Sequence, residues 1–139
     1  MKNNNKENGK FIIALSRALR AVHQKSETLF REYELTMAQF AVLEALHQKG
    51  ELTVGALIES VLSTSGNMTV VIRNLEQHKL VCRKSNPSDG RAFLVCLTDK
   101  GEELITEVFE QHMVLVEESL MPITSEERDT VIEVLRKLS

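Results

Sequence analysis

Asp89 and Arg91 stand two residues apart in NPSDGRAFLVCLT (86–98), where turn-forming residues run straight into a strand-like alternation. A cation held out on a hairpin tip suits the negative potential of a DNA minor groove, which is strongest where A·T tracts narrow it. A free arginine loses rotamer entropy when it docks, so a carboxylate two residues back that orients its guanidinium would make the pair useful. The plain alternative is an Asp-Gly turn followed by a solvated strand residue.

A second group lies just upstream, in STSGNMTVVIRNLEQHK (63–79). Its helical repeat sends Met68, Val71, Ile72 and Leu75 to one side, with Ser63 or Thr64 as N-cap. The other side is Ser65, Gly66, Asn67, Thr69, Val70 and Arg73. Small hydroxyl and amide side chains allow close approach to base edges, and Thr or Val methyls can meet thymine methyls. The N–H groups of the first turn, flanked by Ser63 and Thr64, suit a phosphate. Gly66 and the β-branched run 69–72 make this a weak helix on propensity alone, so tertiary packing must hold it.

Charge is distributed to match. The chain has net charge −3, which argues against non-specific coating of nucleic acid. Residues 1–59 carry net +1, residues 60–97 net +3 and residues 98–139 net −7. The basic block holds Arg73, Lys79, Arg83, Lys84 and Arg91. Of these, Lys79, Arg83 and Lys84 are candidate phosphate contacts.

Cys82 and Cys96 are too few for a disulfide scaffold and lack zinc spacing. They fall on the two arms of the hairpin; if the register sets them opposite, they share a face within reach of a bond and form a candidate redox pair. The plain alternative is two inert, strand-compatible residues. His23, His47, His78 and His112 make no metal-type spacing, and His112 takes a core-facing helical position. No nucleophile elbow, phosphate loop or Cys/His dyad is present, so no enzyme, metal or cofactor is expected.

These residues need elements to position them. With 139 residues, 42% hydrophobic and 4% aromatic, the chain is expected to be one helical domain with an aliphatic core. Residues 1–9 read as a disordered lead-in, followed by an amphipathic helix from Phe11 to about Phe30. Thr36 caps a short helix stopped by Gly50, and Thr53 caps another. The helix of Met68 follows. LVCRKS and RAFLVCL then form a hairpin around NPSDG, and Thr98 or Asp99 opens a long helix ended by Pro122. Thr124 and Glu127 make a capping box for the last helix, with Val131, Ile132, Leu135 and Leu138 as its stripe. Helix, helix, hairpin in this order is a winged helix-turn-helix. The fold class is therefore mainly α with a small β-hairpin: 36–98 the winged helix-turn-helix, 10–35 and 99–139 flanking dimerisation helices. Two long amphipathic terminal helices cannot bury their stripes against so small a domain, so a homodimer is expected.

At LTMAQFAVLEAL (35–46), LTVGAL (52–57), IRNLEQHKLV (72–81) and NPSDGRAFLVCLTDKGEEL (86–104) the chain resembles the MarR family of bacterial winged-helix regulators. The last segment is the most specific, with Asp89-Gly90-Arg91 as the wing signature and Leu97-Thr98-Asp99-Lys100-Gly101 closing it. The resemblance covers roughly 11–139. It implies a triangular homodimer whose wings straddle a pseudo-palindrome in double-stranded DNA, and repression relieved by a small molecule or by oxidation. LSTSGNMTVVIRNLE (62–76) is similar to the branch that answers to quinones and catechol-like aromatic effectors. Two departures stand out. Val70 replaces the arginine many relatives carry, and the first helix lacks the cysteine of the peroxide-sensing branch.

No apolar run approaches the ~18–20 residues of a membrane span. The start MKNNNKENGK has no signal-peptide core, so a cytoplasmic protein is expected. The rival readings are a winged-helix protein–protein module that does not read DNA, and a metal-dependent regulator.

Overall fold

The computed structural model describes residues 2–61 and 65–139. Its elements are α1 (Lys2–Glu32), α2 (Met37–Lys49), β1 (Leu52–Thr53), α3 (Val54–Val61), α4 (Ser65–Gln77), β2 (Val81–Asn86), β3 (Asp89–Leu97), α5 (Asp99–Leu120) and α6 (Ser125–Leu135), then a short 3-10 turn Arg136–Leu138.

The expected caps are in place, each satisfying amide donors that the first helical turn leaves unpaired. Thr36 Oγ1 accepts the Gln39 N–H, and the Gln39 side chain accepts the Thr36 N–H, a reciprocal box. Thr53 Oγ1 accepts the Ala56 N–H, Thr98 Oγ1 the Gly101 N–H, and Thr124 pairs with Glu127 in a second box. The N-cap expected at Ser63 or Thr64 lies outside the described residues. At their C-termini α1 and α4 close through Glu34 and Lys79, both with positive φ. In each, the following N–H returns to the last turn: Leu35 to the Phe30 carbonyl, Leu80 to the Leu75 carbonyl.

The core is one cluster. Leu29 and Phe30 of α1, Phe40, Val42, Leu43 and Leu46 of α2, Leu57 of α3, Met68, Val71, Ile72 and Leu75 of α4, Val81 and Val95 of the sheet, and Ile105 and Val108 of α5 are buried together. The stripe expected for α4 is thus the one that packs. Gly101 sits where α5 starts, pressed against the backbone of Leu80, and a Cβ there would overlap the Leu80 carbonyl oxygen. Only glycine lets α5 dock on the α4–β2 junction so closely.

Three expectations are corrected. Residues 2–9 do not form a disordered lead-in but continue α1, with residues 3–9 exposed. With four Asn and one Gly this stretch is weak on propensity; what extends the helix is propagation from the packed turns downstream, which supply the nucleus, and the pairing of Lys10 with Glu7 one turn back at 3.1 Å. The sheet has three strands, not two: β1 pairs with β3, Leu52 opposite Val95 and Thr53 opposite Leu94, giving the order β1-β3-β2. The wing's turn is Pro87-Ser88 alone, with Asp89 and Gly90 already in β3.

The terminal helices differ from the lobe. Phe11, Ile12, Ile13, Leu15 and Leu19 of α1, Met113 and Val114 of α5, and Val131, Ile132 and Val134 of α6 are exposed, and α6 has no buried residue. Among the described residues no helix is long and apolar enough to cross a membrane.

Candidate nucleic-acid interface

α3 and α4 pack as the two helices of the helix-turn-helix, with α2 behind them. The buried stripe of α4 fixes which side faces outward. Asn67, Thr69, Val70 and Arg73 are exposed on that side, and Val70, at 49% exposure, is an apolar side chain that the fold leaves in solvent. Ser65 and Gly66 open the same helix. Ser63 and Thr64 lie outside the described residues.

The wing presents Arg91 by a different device from the one expected. From Val81 to Ser85 the strands pair regularly, ending with Ser85 opposite Phe93. Asn86 then pairs with Asp89, so Gly90, Arg91 and Ala92 face no residue of β2. A bulge of this kind bends the strand and re-aims its side chains. The Asp89 carboxylate accepts the backbone N–H of Arg91 at 3.0 Å, and the Asn86 side chain accepts the Ser88 N–H at 3.1 Å. Asp89 therefore fixes the tip backbone. It does not hold the guanidinium, which has no salt bridge among the described residues. A carboxylate two residues back reaches the main chain more readily than the end of a long side chain.

The neighbouring cations have partners within the chain. Arg83 is bound by Glu76 of α4 at 2.7 Å and lies over the Phe93 ring, 4.3 Å from its centre. Lys84 pairs with Glu51, just ahead of β1. These two expected phosphate contacts thus clasp the wing to the helix-turn-helix. Lys79 and Arg73 stay exposed. The sequence could not show this, because Glu76 and Glu51 are 7 and 33 residues away from their partners.

Cys82 and Cys96 stand directly opposite each other, and their sulfurs are joined. Strand alternation puts Arg83 on the other face of the hairpin from both.

Ser26 and His112 form a polar pair that the sequence reading only half anticipated. Ser26 is 2% exposed, and its hydroxyl lies 3.0 Å from His112 Nε2. The His112 ring sits against Phe30 and Phe40, which stack on each other. Burial holds its pKa below the usual histidine value, so the ring is neutral near pH 7. Its Nδ1 is buried with no hydrogen-bond partner among the described residues. A cleft of about 920 Å³ opens farther along α5, between α6 and the end of α2, walled by Phe109, Met113, Val116 and Leu120, with His47 at its edge.

Among known proteins, the MarR family's sequence model matches residues 35–93. The HTH-type transcriptional regulator MhqR of Bacillus subtilis is 32% identical over 93% of this chain and 89% of its own. The structure of Bordetella bronchiseptica BpsR, described for regulation of its DNA binding by 6-hydroxynicotinic acid, superposes with TM-score 0.81 at 26% identity, covering 90% of this chain and 89% of that one. PcaV of Streptomyces coelicolor, solved with its natural ligand, gives TM-score 0.75 at 25% identity over 89% and 88%. Proteins of this family are non-enzymatic DNA-binding transcriptional regulators that bind as dimers, some with small-molecule ligands. A likeness that runs through helix-turn-helix, wing and flanking helices alike leaves one assignment: this chain is a DNA-binding regulator that belongs to the MarR family.

Proposed function

We propose that two copies of this chain pair through α1, α5 and α6 and repress transcription from a pseudo-palindromic operator. In this reading α4 of each copy enters a major groove through Asn67, Thr69, Val70 and Arg73, and each Arg91 enters the flanking minor groove. The carrying observation is the wing tip: a bulge and a carboxylate-fixed backbone hold out an arginine that no acidic group of the described chain neutralises. Lys79 and Arg73 serve the phosphates. Arg83 and Lys84 set the angle of the wing, and contact phosphate only by exchanging a carboxylate for it. The rival protein–protein module and metal-dependent regulator gain no support from these features.

Release by a small phenolic or quinone-like aromatic fits the cleft beside α5. Its volume lies within the range of ~300–1,000 Å³ usual for small-molecule sites, and its walls mix apolar side chains (Phe109, Met113, Val116, Leu120) with the polar groups of His47, Glu117 and Arg128. α5 joins the wing, through Thr98, to the helices proposed to pair, so a ligand on it can change the spacing of the two α4 helices.

The test is a titration of Arg91→Ala against the DNA upstream of the protein's own gene. Binding about tenfold weaker or more, with the oligomeric state unchanged, is the expected outcome, since a decade corresponds to ~1.4 kcal/mol. Unchanged affinity would remove the wing from the interface.

A further inference from the structure

We propose that Cys82 and Cys96 form a reversible dithiol–disulfide site at the base of the wing, acted on by a small two-electron oxidant, and that the bond strengthens DNA binding. The second half rests on the DNA-binding reading above.

The register makes the chemistry available. The two Cα atoms are 5.2 Å apart across the hairpin, within the span a disulfide bridges. Each sulfur also faces the carbonyl of the opposite residue: Cys82 Sγ lies 3.5 Å from the Cys96 oxygen, and Cys96 Sγ 3.2 Å from the Cys82 oxygen. An S–H can donate to those oxygens, and a disulfide sulfur cannot. The same backbone therefore has a place for both states, either two thiols turned to the strand carbonyls or two sulfurs bonded to each other. Little main-chain movement separates them, which is what a reversible couple requires. Cys82 is the half-buried member and Cys96 the buried one, so the oxidant meets Cys82 first.

With a peroxide the step balances. The Cys82 sulfur attacks one peroxide oxygen, the O–O bond breaks, and the departing hydroxide takes the thiol proton as water, leaving a sulfenic acid. The Cys96 sulfur then attacks the Cys82 sulfur, the S–O bond breaks, and a second water leaves with the Cys96 proton. Two thiols give up two electrons and the peroxide becomes two waters. A dithiol reductant reverses the change by exchange.

The place of the bond gives it a consequence. The pair sits one residue from Val81 opposite Leu97, where the hairpin leaves the helical lobe, and between that lobe and the bulge of Arg91. On the opposite face Glu76 clasps Arg83. Bond and clasp hold the same strand pair from two sides. Oxidised, the base cannot shear or fray, and Arg91 is carried on a wing already ordered before it docks, so less freedom is lost on binding. The reduced wing retains the clasp alone.

The full-length protein, wild type and Cys82→Ser/Cys96→Ser, is treated with hydrogen peroxide or with dithiothreitol. Each sample is then measured by intact mass and by operator titration. Wild type is expected to lose two hydrogen atoms with peroxide and regain them with dithiothreitol, and to bind several-fold more tightly when oxidised. The double variant is expected to bind like reduced wild type and to ignore both reagents. A bond that peroxide does not form, or that dithiothreitol does not open in the folded protein, overturns the site. Equal affinity of the two wild-type states overturns the coupling alone. No operator binding in any state overturns the coupling together with the DNA reading, while the mass still decides the thiol chemistry.

Discussion

The winged-helix lobe and the terminal helices use similar amphipathic material to opposite ends. In α4 the stripe of Met68, Val71, Ile72 and Leu75 is buried, although glycine and β-branched residues make that helix weak by itself. In α1 a comparable stripe of Phe11, Ile12, Leu15 and Leu19 stays exposed, as does that of α6, on helices with better propensity. Local helix strength therefore does not decide which stripe is covered. What decides it is whether the chain offers a partner surface in cis. The lobe is closed by its own sheet and by α5, whereas the outer ends of α1 and α6 meet nothing among the described residues that hides them. An apolar area of that extent is unusual on a monomer and marks an association surface.

The comparison breaks most visibly if the exposed stripes are charged. Ile12→Glu with Val131→Glu is expected to give monomers by sedimentation, and operator affinity lower by about 10²–10⁴, the gain that linking two half-site contacts provides. The thermal unfolding of the lobe should survive. If the double variant stays dimeric, the arms are not the pairing surface. Inside the lobe the same kind of change acts on folding instead. Leu57→Ala, at a fully buried position, is expected to cost about 2–5 kcal/mol in denaturant unfolding. Gly101→Ala is expected to cost about 1–3 kcal/mol by forcing α5 off Leu80.

The seam between the two regions supplies a smaller effect. His112 of α5 is held below its ordinary pKa by burial against Phe30 and Phe40. The unfolded chain therefore takes up its proton first as pH falls. His112 contributes its full stability above about pH 6.5, and that contribution drains away as pH drops below it. Tm should decline more steeply from neutral to mildly acidic pH in wild type than in His112→Phe. An identical slope would mean that the ring is not constrained as described. Smallest of all, Thr36→Ala should cost about 1 kcal/mol, because one capping oxygen serves the Gln39 amide.

What the sequence made legible follows the range of the interactions. Thr36, Thr53 and Thr124 were readable as caps because their partners lie three residues on, and the α4 stripe because its period is local. The opposition of Cys82 and Cys96 stayed open in the sequence: counting back from NPSDG, with Ser85 opposite Arg91, sets Cys82 against Leu94, and it is the bulge, which leaves Gly90, Arg91 and Ala92 unpaired, that brings Cys96 opposite Cys82. β1 escaped notice because a two-residue strand carries no alternation and its partner is some 40 residues away. The carboxylates that claim Arg83 and Lys84, and the serine that meets His112, are likewise brought near only by the fold. The helix over residues 2–9 has no apolar stripe to announce it, and residues 3–9 are all exposed.

The central claim, that two such chains read one operator through α4 and the wings, is tested most directly by sedimentation of the protein with a duplex from upstream of its own gene, at several salt concentrations. Two chains per duplex are expected, with affinity falling steeply as salt rises, because each neutralised phosphate contributes a slope of about −0.9 in log K against log salt. One chain per duplex, or an affinity indifferent to salt, would contradict it.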